Sequence, residues 1–152
     1  MGSSVDVVIP IYKAGNDFAS MLEKLYKQSK RPEHIYLLQT IEKKDEKLFD
    51  IKKCSKELAD IISVHPIKKA DFDHGATRAY GALMAESDYV LFMTQDAVPK
   101  NKHLIEQLLL PMKDDEIGVS YARQLGDKQA NYLEYYTRIF NYPPESRKKT
   151  KE

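Results

Sequence analysis

Apolar positions along the chain follow two alternating rhythms. Val5-Asp6-Val7-Val8-Ile9, Ile35-Tyr36-Leu37-Leu38 and Tyr89-Val90-Leu91-Phe92-Met93 are short, nearly continuous runs that read as strands buried on both faces. Ile61-Ile62-Ser63-Val64 is a weaker strand candidate. Gly118-Val119-Ser120-Tyr121-Ala122, after the charged break Lys113-Asp114-Asp115-Glu116, is another. Between these runs the period is helical. Phe18, Met21, Leu22, Leu25 and Tyr26 recur at i, i+3, i+4, i+7 and i+8, the stripe of a half-buried helix. Leu48, Ile51, Ser55, Leu58 and Ile62 trace a looser stripe, and Tyr80, Leu83 and Met84 a third. Leu104, Ile105, Leu108 and Leu109 form a fourth, which Pro111 ends or kinks. Repeated strand–helix alternation predicts parallel strands with right-handed helical crossovers, a three-layer α/β/α domain.

The pattern changes towards the end. Tyr132, Tyr135, Tyr136, Ile139 and Phe140 again fit a helix, but its face is strongly aromatic, and Asn141-Tyr142-Pro143-Pro144 stops it. The expected organisation is therefore an α/β domain over 1–127, an aromatic helical segment over 128–144 and a polar tail over 145–152 that is too hydrophilic to pack.

Composition narrows the function classes. With 152 residues the chain can bury one substantial core unaided. Lys and Arg number 24 against 23 Asp and Glu, a net charge of +1, which provides no long-range field for nucleic acid. The single cysteine excludes a disulfide framework, and Cys54, among Ile51 and Leu58, reads as a small buried hydrophobe. No apolar run approaches the ~20 residues of a membrane span, and the first residues lack the features of a signal peptide. The expectation is a soluble domain of the cytoplasm.

In a parallel sheet, ligands bind beyond the carboxyl ends of the strands. Those positions hold Pro10-Ile11-Tyr12-Lys13-Ala14-Gly15, Gln39-Thr40, the stretch Lys68 to Arg78, and Thr94-Gln95-Asp96-Ala97-Val98-Pro99. An aromatic ring, amides, a carboxylate and an arginine on one rim suit a phosphorylated ligand with a planar base and a divalent cation. Asp96 is the candidate ligand for Mg²⁺ or Mn²⁺; the competing role is to cap a helix starting near Lys100. Arg78, in the first turn of a helix, can fork onto a diphosphate or pair with Asp73 or Asp71. Tyr12 can lie against a base or pack in the core, and His74 can be a ligand or a turn residue bonded to backbone. Residues 10–15 form neither a Gly-rich dinucleotide loop nor a P-loop.

Val7-Val8-Ile9-Pro10-Ile11-Tyr12, His74-Gly75-Ala76-Thr77-Arg78 and Phe92-Met93-Thr94-Gln95-Asp96-Ala97-Val98-Pro99 together resemble family 2 glycosyltransferases of the GT-A fold. Arg123-Gln124-Leu125, Glu134, Arg138 and Phe140-Asn141-Tyr142-Pro143 sharpen the resemblance towards bacterial polysaccharide rhamnosyltransferases. It implies a donor site built from Pro10, Ile11, Tyr12, Gln39, Thr40, Arg78, Gln95 and Asp96. Asp96 would stand at the last aspartate of Asp-X-Asp, and Thr94 replaces the first. Further implied are a nucleotide-sugar donor such as dTDP-L-rhamnose and a saccharide or lipid-linked saccharide acceptor. Inverting transfer with Mg²⁺ or Mn²⁺ is the implied chemistry. The resemblance leaves room for peripheral association with the inner membrane face and for self-association through the aromatic segment. Family members continue into an acceptor region carrying the general base, so this chain is expected to stop before it, with the base beyond Glu152 and the isolated chain inactive in transfer. The rival from another class is a non-catalytic, doubly wound α/β interaction module.

Overall fold

A computed structural model describes residues 2–126 and 131–150, which divide into one compact unit ending at Leu110 and a second beginning at Pro111. The expected boundary at 127/128 lies outside the described residues. The first unit runs β1 (Val5–Ile11), α1 (Phe18–Tyr26), β2 (His34–Ile41), α2 (Lys56–Ala59), β3 (Ile62–Lys68), α3 (His74–Met84), β4 (Tyr89–Phe92) and α4 (Leu104–Leu109). Its four strands are all parallel in the order β3-β2-β1-β4, with Val7 opposite both Ile35 and Leu91, and Leu37 opposite Val64. The central position of β1 explains its nearly unbroken apolar run. Val5, Val7, Val8 and Ile9 face alternate sides of the sheet, yet all are buried.

Helix α1 buries the stripe that its period predicts: Phe18, Met21, Leu22 and Leu25 are all in the core. β3 is a full strand rather than a weak one. Its outer edge is blunted by Pro66, a residue tolerated there because an edge strand has amides that need no ladder partner.

The looser stripe from Leu48 to Ile62 is not one helix. A 3₁₀ turn over Ile51–Lys53 is capped by Asp50, whose Oδ1 accepts from the Lys52 N–H at 3.0 Å. Cys54 is then extended, and Ser55 donates its N–H and hydroxyl to Glu23 of α1 at 2.6 and 3.2 Å before the short α2 begins. Ile62 belongs to β3 instead, where strand burial outweighs helical spacing. Gly118–Ala122 forms no strand. Among the described residues the second unit contains no other strand, and a strand with no ladder leaves its backbone groups unpaired.

Helix α3 is present, but it docks through a different face from the predicted one. Thr77 and Gly81 are buried, whereas Leu83 is 86% exposed and Tyr80 45%. The reason is proximity. A β-carbon on Gly81 would lie 2.4 Å from Val8 Cγ1 and 3.1 Å from Leu38 Cδ1, so the helix backbone rests directly on the sheet.

At the opposite edge of the sheet from the strand ends that form the site, Asp6 holds the turn before β4. Its carboxylate is 2% exposed and accepts from the N–H of Glu86 at 2.9 Å, the N–H of Ser87 at 3.2 Å and the Ser87 hydroxyl at 2.8 Å. An alanine in its place leaves these buried donors without their acceptor. Asp6→Ala is therefore expected to cost about 2 kcal/mol, read as a lower midpoint in urea unfolding with the slope unchanged.

In the second unit, α5 (Tyr132–Asn141) forms as its period predicts. Asn131 caps it by accepting from the Glu134 N–H at 2.9 Å, and Arg138 pairs with Glu134 at 2.7 Å. Its apolar residues Tyr132, Leu133, Tyr135, Tyr136, Ile139 and Phe140 are all exposed. No helix among the described residues is long and apolar enough to cross a membrane.

Candidate functional site

Because all four strands run the same way, their carboxyl ends share one edge, and hydrogen bonds join the segments immediately beyond them. Tyr12, just past β1, is the hub. Its hydroxyl donates to Glu42 Oε1, immediately beyond β2. Lys69 Nζ, immediately beyond β3, donates to the Tyr12 hydroxyl at 3.2 Å and to Glu42 Oε1 at 2.9 Å. From beyond β4, Gln95 Oε1 accepts from the Tyr12 N–H at 2.7 Å, and Gln95 Nε2 donates to the Tyr12 carbonyl at 3.1 Å. Lys13 Nζ lies 3.3 Å from Glu42 Oε1, and both ammonium groups stand over the Tyr12 ring, at 5.0 Å for Lys13 and 5.4 Å for Lys69. Lys13 reaches this place through a left-handed backbone, φ 48°, in the turn that leaves β1; such a conformation costs a side-chain-bearing residue about 1 kcal/mol or more.

The cluster controls its own charges. The Tyr12 hydroxyl, then Lys69 and Lys13, hold the Glu42 carboxyl down to about 2, while the Tyr12 and Glu42 contacts raise both lysines. A depressed folded value means that the folded state takes up its proton later than the unfolded chain does. The stabilisation from this group is complete above pH ~4.5 and is lost as pH falls towards 2. A carboxyl ¹³C titration is expected to find Glu42 charged well below pH 4 in the native protein. Its midpoint should move up in Tyr12→Phe, since the phenol is the largest cause of the depression.

The candidate residues separate into two groups. Tyr12 is exposed at the hub and not in the core, and Ile11 beneath it is buried. Gln39 and Thr40 lie inside β2 rather than after it, and both are buried. Gln39 is committed to the next loop: its Nε2 donates to the Lys47 carbonyl at 3.1 Å, and its Oε1 accepts from the Phe49 N–H at 2.7 Å. The strand simply runs further than its apolar core, so the first residue beyond it is Glu42. Glu42 is therefore a rim residue that the strand-end positions read from the sequence leave out, whereas Lys13 and Lys69 lie on those positions without a role having been assigned to them. The one available signal was that Ile41 extends the alternation of β2 by a further step.

Arg78 sits in α3, whose start Asp73 caps by accepting from the Ala76 N–H at 2.7 Å. With Asp73 so used, Arg78 forms no ion pair to it or to Asp71 among the described residues. Arg78 Nη1 donates to the His74 carbonyl at 3.0 Å. His74 opens α3 rather than sitting in a turn, and its ring packs edge-on against Phe72 with centroids 4.9 Å apart. Cys54 is half-buried against the core, and burial pushes its thiol up, which favours the protonated form.

Asp96 does not cap a helix at Lys100, because α4 starts only at Leu104 with His103 before it. It is exposed in the turn after β4 and makes no ion pair among the described residues. No group of three or more ligating side chains is gathered anywhere among those residues. That donor set cannot cage a metal alone, but it fits Mg²⁺ or Mn²⁺, which take one or two carboxylates and complete the shell with phosphate oxygens and water.

Comparison with known proteins identifies the family and the fold. The family model described as glycosyl transferase family 2 matches residues 6–152. The O-antigen chain rhamnosyltransferase WbaN of Salmonella anatum is 31% identical over 150 residues, covering 97% of this chain and 45% of that protein. RfbN of Salmonella typhimurium, of the same description, is 31% identical over 148 residues with the same coverage. The chain thus spans a little under half the length of these curated relatives. Among solved structures, S. aureus TarS superposes with a TM-score of 0.51 at 16% identity, over 83% of this chain and 23% of that one. Its fragment 1-349 gives 0.51 at 15%, over 83% and 40%. These likenesses establish an α/β fold of GT-A type. The chain belongs to glycosyl transferase family 2.

Proposed function

We propose that this chain is the donor-binding part of a rhamnosyltransferase that takes L-rhamnose from dTDP-L-rhamnose and passes it to a saccharide or lipid-linked saccharide acceptor. The observation that carries the reading is the meeting of all four strand ends around Tyr12, with the exposed Asp96 carboxylate one residue beyond the Gln95 that grips Tyr12. Likeness to two O-antigen rhamnosyltransferases supports the choice of sugar. The α/β domain over 1–127 supplies the donor site, and 128–144 leads towards the acceptor region.

In this reading Pro10, Ile11 and Tyr12 form the floor under the base and ribose. Gln39 shapes the wall by holding the loop at 47–49, and Thr40 follows it in β2. The cluster of Glu42 with Lys13 and Lys69 carries one more positive than negative charge, and Arg78 adds another. An anionic diphosphate placed there gains charge-assisted hydrogen bonds. Asp96 would hold the divalent metal, which when bound supplies a Lewis acid for the charge that builds on the leaving diphosphate. The acceptor hydroxyl attacks the anomeric carbon from the face opposite the leaving group, the carbon–oxygen bond to the diphosphate breaks, and configuration inverts. The hydroxyl proton goes to a carboxylate base that lies beyond Glu152. The isolated 152 residues therefore bind donor without transferring it.

Calorimetric titration of dTDP into the protein with MnCl₂ tests the reading. Metal-dependent binding supports it; silence with every nucleoside diphosphate favours the interaction module. Rapid rhamnosyl transfer by the isolated chain would overturn the assignment of the base.

A further inference from the structure

Resting on that donor reading, we infer that Gln95 is a positioning residue: its side-chain amide replaces a missing rung of the sheet and fixes Tyr12 relative to Asp96. The paired register of β1 and β4 ends at Val8 opposite Phe92, and the Met93 N–H donating to the Val8 carbonyl at 3.1 Å is the next bond between them. Tyr12 lies four residues further along β1's path, where β4 has already turned away. There the Gln95 side chain does what a neighbouring strand's peptide would do. It accepts from the Tyr12 N–H at 2.7 Å and donates to the Tyr12 carbonyl at 3.1 Å. Only one orientation of the amide satisfies both atoms, since the flipped one sets N–H against N–H and oxygen against oxygen.

The other restraints on Tyr12 act on its phenol, through Glu42 and Lys69. They orient the ring but leave its peptide free to shift against the β4 turn. Gln95 removes that freedom, and Asp96 is its chain neighbour. A diphosphate donor that spans both sides meets them at a preset spacing, so the ordering cost is met on folding rather than on binding. Both polar atoms of Gln95 are used on the main chain, so the residue acts on the ligand through Tyr12.

The test uses the full chain and two variants, Gln95→Ala and Gln95→Glu, with two readouts. The first is hydrogen exchange of the Tyr12 amide in ligand-free protein; the second is calorimetry with dTDP and MnCl₂. In Gln95→Ala the Tyr12 amide should exchange at least about tenfold faster, and dTDP should bind about tenfold more weakly. Gln95→Glu keeps an acceptor for the Tyr12 N–H and loses the donor to its carbonyl. Its amide should stay protected, and its affinity should fall between the other two, recovering as pH is lowered and the new carboxyl gains a proton. Weakened binding with unchanged Tyr12 exchange would mean that Gln95 touches the ligand itself and would overturn the inference. So would fast exchange with unchanged affinity. A wild-type protein that ignores dTDP overturns the donor reading and this inference together, whereas a binding wild type with indifferent variants overturns the inference alone.

Discussion

Asp96→Ala is expected to lose manganese-dependent dTDP binding by at least about a hundredfold while folding as the parent does. The loss is large because the site has little redundancy. Thr94 stands where a second carboxylate would be, and no set of three ligating side chains is assembled among the described residues. In the proposed donor site Asp96 would be the carboxylate that holds the metal, and without it the ligands would have to come from phosphate and water. Fold is unaffected because Asp96 is exposed and supports no helix. Asp96→Asn keeps the size and removes the charge, so it should behave like alanine. Calorimetry with and without MnCl₂ measures both. Unchanged affinity in Asp96→Ala would remove the carboxylate from the site, and an equal loss with and without metal would assign it a direct contact instead.

Gly81→Val is expected to destabilise the first unit by about 3 kcal/mol, close to the upper end of the usual overpacking range. A lone β-carbon there already comes within 2.4 Å of Val8 Cγ1, and Val8 is held on the central strand with no exposure. The helix must lift away from the sheet or Val8 must leave its rotamer, and two γ-methyls aggravate either choice. For a protein of this size the midpoint of thermal unfolding should fall by about 6–12 °C. Leu83→Ser, two residues along the same helix, is the control. That side chain is 86% exposed, and its replacement should change stability by no more than about 0.5 kcal/mol. Equal midpoints for the two variants would contradict the packing described for α3.

The contrast between Gly81 and Leu83 shows where periodicity stops being informative. Hydrophobic spacing assigns α3 its correct type and place, but it selects the face with the largest apolar residues. The face that docks is the one with the smallest, because a helix can approach a sheet closely only where it lacks a side chain. The same limit hides Glu42. Nothing local distinguishes it from the other charged residues of the loop at 42–50. Its role appears only when β2 extends to Ile41 and brings it beside Tyr12 and Lys69. Gln39 shows the converse: a polar residue at an expected ligand position whose amide is used to hold the neighbouring loop.

Strand and helix identity in β1, β2, β4, α1 and α5, the parallel direction of the strands, and the shared rim at their carboxyl ends were all legible in the chain's own pattern. They depend on alternation and burial, which are properties of neighbours in sequence. Gly118–Ala122 failed as a strand because pairing is a property of two segments, and one run of apolar residues cannot supply its own ladder. The partners of Glu42, the two-point grip of Gln95 on Tyr12 and the face that α3 turns to the sheet were decided in the folded molecule. Each is set by distances of a few ångströms between groups remote in the chain, and composition carries no record of those distances.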